Sequence, residues 1–129
     1  MQPKTHPAIA SQHYRMLDLQ SRVASASPHG LVALLYEELL RSLDLISANH
    51  AQRKVIAGNT HLSKALSIIV ALQGSLDFGN GGELAPVLNR IYRSAARSLN
   101  EAARDDDITK VKYVRSAISD IANAWQALT

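Results

Sequence analysis

Histidine is the commonest side chain for metal binding and for proton transfer near neutral pH, and this chain carries five: His6, His13, His29, His50 and His61. A helix brings two imidazoles onto one face only when they stand three or four residues apart, and no two of these do. The Glu-x-x-His pairs that hold two metal ions between facing helices are missing as well. With no cysteine, the chain has no thiolate zinc site, no thiol nucleophile and no disulfide framework. Its serines fall in caps or on helix faces, and no nucleophile-elbow sequence surrounds any of them. Glu37 and Glu38 are sequence neighbours; a helix points them in different directions, so both are expected to be solvated rather than paired for acid–base work. The expectation is therefore no cofactor, no metal and no enzymatic activity.

Two other patterns carry chemical meaning. The segment His61-Leu62-Ser63-Lys64-Ala65 is similar to the active-site segment of histidine phosphotransfer domains, helical bundles with an exposed His and a Lys three residues later on the same face. The His-to-Lys spacing agrees, but Ser63 stands at that family's leucine and Ala65 at its glycine, where extra bulk opposes approach of a phosphoryl donor. A signalling bundle using His61 is the alternative reading. Arg90, Arg93, Arg97 and Arg104 make a basic stripe, extended in sequence by Lys110, Lys112 and Arg115. Such a stripe suits phosphate contacts, yet no aromatic residues interleave for base stacking and no helix-turn-helix spacing appears. With a net charge of only +3, a solvated face and no nucleic-acid partner are expected.

The elements that would position these residues are all helical. Across 129 residues, 47% are hydrophobic and only 5% aromatic, which predicts one domain with a core of Leu, Ile, Val and Ala and favours helices over sheets. Residues 1 to 20 hold two prolines and the short apolar set Tyr14, Met16, Leu17 and Leu19; the expectation is a flexible arm over residues 1–22. Ser27 can cap a helix that Pro28 opens, running to about Ala48-Asn49-His50. A second helix centres on Leu62, Ala65 or Leu66, Ile69, Leu72 or Gln73, and Leu76. It starts either at Ala51 or at Thr60, and the helical pattern of Arg53 to Ala57 favours the earlier point. The run DFGNGG, residues 77 to 82, is the clearest break. A third helix opens at Glu83 with Pro86 in its first turn, and Asp106 or Asp107 caps a fourth, whose Val111, Val114, Ile118, Ile121, Trp125 and Leu128 alternate by three and four. Together these predict an all-α, antiparallel up-and-down four-helix bundle over residues 23–129, behind the flexible N-terminal arm. No apolar run reaches the roughly 20 residues of a membrane span, so a soluble, cytoplasmic protein without membrane insertion is expected.

The first long helix carries more apolar surface than one core stripe uses. Val32, Leu35, Leu39 and Ile46 make the stripe, and Leu31, Leu34, Leu40, Leu43 and Leu45 spread beyond it. Ile68 and Val70 likewise lie beside the second helix's seam. Such a surplus on a small bundle points to a partner that covers it.

The same residues carry a resemblance. Val23-Ala24-Ser25-Ala26-Ser27-Pro28, then Leu31, Leu34-Leu35-Tyr36 and Leu39, resemble the opening of the flagellar secretion chaperone (FliS) family. Lys64-Ala65 with Ile68-Ile69 and Leu72, Ser75-Leu76-Asp77, Gly81-Gly82-Glu83-Leu84-Ala85, Leu88, Ile91-Tyr92, Leu99 and Ala124-Trp125 continue it in order. The resemblance covers about residues 23 to 126. It implies a four-helix-bundle, non-enzymatic export chaperone of the cytoplasm, which binds the disordered C-terminal segment of flagellin, prevents premature polymerisation and assists delivery to the flagellar export gate. The surplus apolar side chains would then be covered by flagellin segments that fold as they bind, with the N-terminal arm as a temporary lid. The sequence departs from the family where many members have a tyrosine about five residues before Val23. Asp18 stands there, leaving Tyr14, Met16 or Leu17 to substitute. Pro86 is unusual after Gly-Gly-Glu-Leu-Ala, and Ala103 occupies a position often held by Asn. The contact residues expected are Tyr14 and Leu17 in the arm, and Ile68, Leu72, Tyr92 and Tyr113 on the bundle. Changing Ile68 to Asp is expected to weaken binding without unfolding the chain, and the protein itself is expected to be a monomer or weak homodimer.

Overall fold

The computed structural model describes residues 7–77, 79 and 82–128. Residues 1–6 of the expected arm, Phe78, Asn80 and Gly81 of the DFGNGG run, and Thr129 lie outside the described residues. The chain is all-helical there, with no strand, but has five helices rather than four: α1 (Pro7–Ser25), α2 (Pro28–Ala51), α3 (Thr60–Gly74), α4 (Leu84–Asp105) and α5 (Ile108–Ala127). It divides into two compact units, residues 1–31 and 32–129.

In the first unit, residues expected in an arm form the 19-residue helix α1. Proline at the first helical position costs nothing, because the amide it lacks would have no intrahelical partner, so Pro7 starts this helix instead of preventing it. Met16, Leu19 and Val23 recur at three- and four-residue steps, a helical period. Ser25 closes α1 by donating its hydroxyl to the carbonyls of Ser21 and Arg22 at 3.2 and 3.3 Å. Ser27 then caps α2 as expected, its Oγ accepting the Gly30 N–H at 3.1 Å.

In the second unit one core joins α2 to α5. Tyr36, Leu39, Leu43 and Ile46 of α2 meet Leu62, Ala65, Ile69 and Leu72 of α3, Leu88, Tyr92, Leu99 and Ala102 of α4, and Val111, Val114 and Ile118 of α5. With Ala95 of α4 between Tyr92 and Leu99, each set steps by three or four residues, so burying one face of each helix removes these side chains from water together. Helix α4 lies against both α3 and α5. The seam expected along α5 holds through Ile118; beyond it Ile121 and Trp125 are half-buried, and Leu128 is exposed past the helix end.

The second helix of the sequence reading starts at Thr60, not at Ala51. Arg53 and Gly58 both take positive φ, 66° and 75°, which a right-handed helix cannot contain. Asn59 caps α3, its Oδ1 accepting the His61 N–H at 2.8 Å. Between the two helices Ile56 is fully buried, and its N–H donates to Asp106 Oδ1 at 3.0 Å. Asp106 ends α4 in the left-handed conformation, φ 50°, and its other oxygen lies 3.6 Å from His50 Nε2. Asp107 next to it caps α5 by accepting the Thr109 N–H at 3.0 Å.

Candidate partner-binding groove

Helix α4 has three sides. Leu88, Tyr92, Ala95, Leu99 and Ala102 face the core, while Arg90, Arg93 and Arg97 are exposed, about opposite that face at 100° per residue. Between these two faces runs a flank of Val87, Ile91, Ser94 and Ser98. Across from it, α5 presents Tyr113, Ala117 and Ile121. Together with Ala95 and Val114 below, they line an open groove of about 490 Å³ rimmed by Arg90 on one side and Asp120 on the other. From Val87 to Ser98 the groove is about 16 Å long at 1.5 Å per residue, three turns of a helix. Part of its lining is short: serine and alanine at 94, 95, 98 and 117 let a visiting backbone approach, while valine and isoleucine supply apolar contact. Tyr113, 72% exposed, stands at the edge with an apolar ring and a polar tip, a combination enriched in binding interfaces.

A second, smaller cavity of about 180 Å³ lies between α2, the end of α3, the start of α4 and the end of α5. It is lined by Val32, Leu76, Leu84, Ala85, Leu88 and Trp125 with Tyr36 and Tyr92, and Ser75 and Asp77 are its polar members. The Tyr36 and Tyr92 hydroxyls hydrogen-bond each other, and Trp125 meets Tyr36 edge-on with ring centroids 6.2 Å apart. Burial pushes the Tyr36 phenol up, with the bond from Tyr92 acting the other way. Tyr92 is pushed up further, by burial first and then by the bond to Tyr36.

The six expected contact residues divide three ways. Tyr14 and Leu17 are exposed on α1, and Tyr113 lies on the α4–α5 groove. Ile68, Leu72 and Tyr92 belong to the core. Ile68 is only 7% exposed and Leu72 is fully buried, because α3 turns two adjacent positions, 68 and 69, into the common core. Of Ile68 and Val70, the two apolar residues expected beside the seam, only Val70 is exposed. The surplus on α2 has the same explanation: Leu34 and Leu43 are buried and Leu40 and Leu45 half-buried, leaving Leu31 exposed. The chain's own core covers most of what seemed to need a partner. Of the other groove residues, Ile121 was expected in the core seam and Ile91 stands among the residues of the resemblance, while Val87, Ser94, Ser98 and Ala117 belong to no pattern marked in the sequence. Their signal is faint: small residues at three- and four-residue steps beside one exposed tyrosine.

The charged groups behave as structural neighbours. Glu38, expected in solvent, is buried with an oxygen 3.7 Å from Lys64 Nζ. Arg115 Nε and a second guanidinium nitrogen reach the two Asp44 oxygens at 3.1 and 3.5 Å, and Lys110 reaches Glu101 at 3.5 Å. Two members of the expected basic extension are thus engaged in ion pairs. His61 sits in the first turn of α3, half-buried. Its pKa is lowered, by burial first and then by Lys64 and Arg41, so its neutral form is favoured at pH 7. Among the described residues no group of three His, Cys, Asp or Glu side chains could hold a metal ion, and no helix is long and apolar enough to cross a membrane.

A small helical unit with an open apolar groove offers a surface for binding, and comparison with known proteins gives the family. The model of the family described as "Flagellar protein FliS" matches residues 10–129. The chain belongs to the FliS family. It is 33% identical over 125 residues to the flagellar secretion chaperone FliS of Salmonella typhimurium, covering 96% of this chain and 93% of that one. The Escherichia coli flagellar secretion chaperone FliS is 31% identical, with 94% and 90% covered. The flagellar secretion chaperone FliSB of Pseudomonas aeruginosa is 27% identical, with 93% and 95% covered. FliS membership extends through α1 to residue 10, beyond the stretch from residue 23 on which the resemblance was recognised.

Proposed function

We propose that this protein is a cytoplasmic export chaperone that binds the disordered C-terminal segment of flagellin, prevents its premature polymerisation and assists its delivery to the flagellar export gate. The observation that supports this reading most is the α4–α5 groove, on a chain whose relatives are named flagellar secretion chaperones. A three-turn apolar trough with small side chains at its floor fits the apolar face of an amphipathic helix. A flagellin segment would fold as it docks, so part of the contact energy is spent on ordering it. Binding is by surface burial, with no reaction, cofactor or metal and no nucleic acid, and the chaperone acts as a monomer or weak homodimer.

Calorimetric titration of the full chain with the C-terminal segment of the same organism's flagellin tests this. One-to-one binding with a clearly negative heat-capacity change, and an affinity that changes little with added salt, is the expected result. Absence of binding at micromolar concentrations overturns the reading.

A further inference from the structure

Two phenols carry two O–H protons, and one hydrogen bond between them uses one; the phenol that accepts still has its own proton to donate. Tyr36 and Tyr92 are in this position, since each is the other's sole hydrogen-bond partner among the described residues. Both phenols are pushed toward higher pKa, so both remain donors across the neutral range. Each side chain is 1% exposed, and a buried donor without an acceptor costs its full desolvation. Both residues line the second cavity, whose other walls are largely apolar: Val32, Leu76, Leu88 and Trp125. Its volume of about 180 Å³ is roughly six waters' share of liquid, which suits one large side chain and is too small for a helix.

We infer that this cavity is an anchor pocket: it takes one apolar side chain of the bound flagellin segment, and a backbone carbonyl beside that side chain accepts the spare tyrosine O–H. The inference rests on the flagellin-binding reading above. It also constrains where the anchor stands in the segment. Carbonyls inside a helix are already used, whereas those of the last turn and of extended chain are free. The anchor therefore lies at the C-terminal end of a segment helix or in an extended stretch.

Trp125 is the chain's single tryptophan and forms part of the cavity wall, so its emission reports occupancy. The full chain is titrated with a tryptophan-free C-terminal flagellin segment while heat, Trp125 emission and acrylamide quenching are followed. Heat and a blue shift with loss of quenching should saturate together. The Tyr36→Phe, Tyr92→Phe double variant removes donor and acceptor at once, a change close to neutral for folding, and should bind about three- to tenfold more weakly at an unchanged melting temperature. Heat with no change at Trp125, or a double variant that binds like the parent, overturns the anchor pocket and leaves flagellin binding standing. No heat at all overturns the flagellin reading and this inference with it.

Discussion

At the scale of single residues, burial separates two side chains that the sequence presents as equals. Ile68 and Val70 both lie beside the seam of α3, yet Ile68 is 7% exposed and Val70 65%. An aspartate at 68 would have to enter the core or pull α3 away from it, so Ile68→Asp is expected to cost about 3 kcal/mol or more of stability. Val70→Asp keeps its carboxylate in water and should stay within about 0.5 kcal/mol of the parent. Urea unfolding of both variants checks the pair, and equal midpoints would contradict the core placement of Ile68. The earlier expectation that Ile68→Asp leaves the fold intact is thereby withdrawn. Periodicity marks which residues belong to an apolar face but not how wide a face the neighbouring helices cover. That is why Ile68, Leu72 and Tyr92 looked available when they are core, and why Glu38 looked solvated.

At the scale of elements, the helices were legible and the connection between α2 and α3 was not. Ser27, Asn59 and Asp107 are side chains that favour caps by local chemistry, and each caps the helix that follows it. Residues 53–57 also have helical propensity, but a long-range contact overrides it: the Ile56 N–H is held by Asp106, fifty residues away. No local pattern encodes that bond. Asp106 satisfies two demands at once, a left-handed backbone and an acceptor for a buried amide. Asp106→Ala fails both and is expected to lower stability by about 2 kcal/mol or more. Asp106→Asn keeps the Oδ1 acceptor and tolerates positive φ, losing only the contact with His50, and should remain within about 1 kcal/mol of the parent. Thermal melts of the two variants distinguish these outcomes; equal loss in both would place the effect in the carboxylate charge instead. Helix α1 shows the opposite error. The prolines at 3 and 7 were read as marks of an arm, although Pro7 stands where a helix tolerates proline best.

At the scale of the whole molecule, the question is which surface carries the partner once the core has taken most of the apolar surplus. The α4–α5 groove is an open, mostly apolar concavity, and it can be altered without touching what holds the helices together. Ser94 is exposed on its α4 wall, four residues after Arg90 and three before Arg97. A glutamate there meets an arginine in each direction along the helix, and such pairs support a helix by a few tenths of a kcal/mol. Ser94→Glu should therefore fold as well as the parent. A docked apolar helix, however, would strip water from the new carboxylate, a cost the flanking arginines offset only in part because they stay in solvent. Affinity for the flagellin segment should fall by tenfold or more, which is about 1.4 kcal/mol, while Ser67→Glu, exposed on α3, a helix that contributes no residue to the groove lining, should leave it unchanged. Calorimetry on both variants, with melting curves as the folding control, decides the matter. A Ser94→Glu variant that folds and binds like the parent would remove the groove from the binding surface and leave the exposed residues of α1, Tyr14 and Leu17 among them, as the place to look.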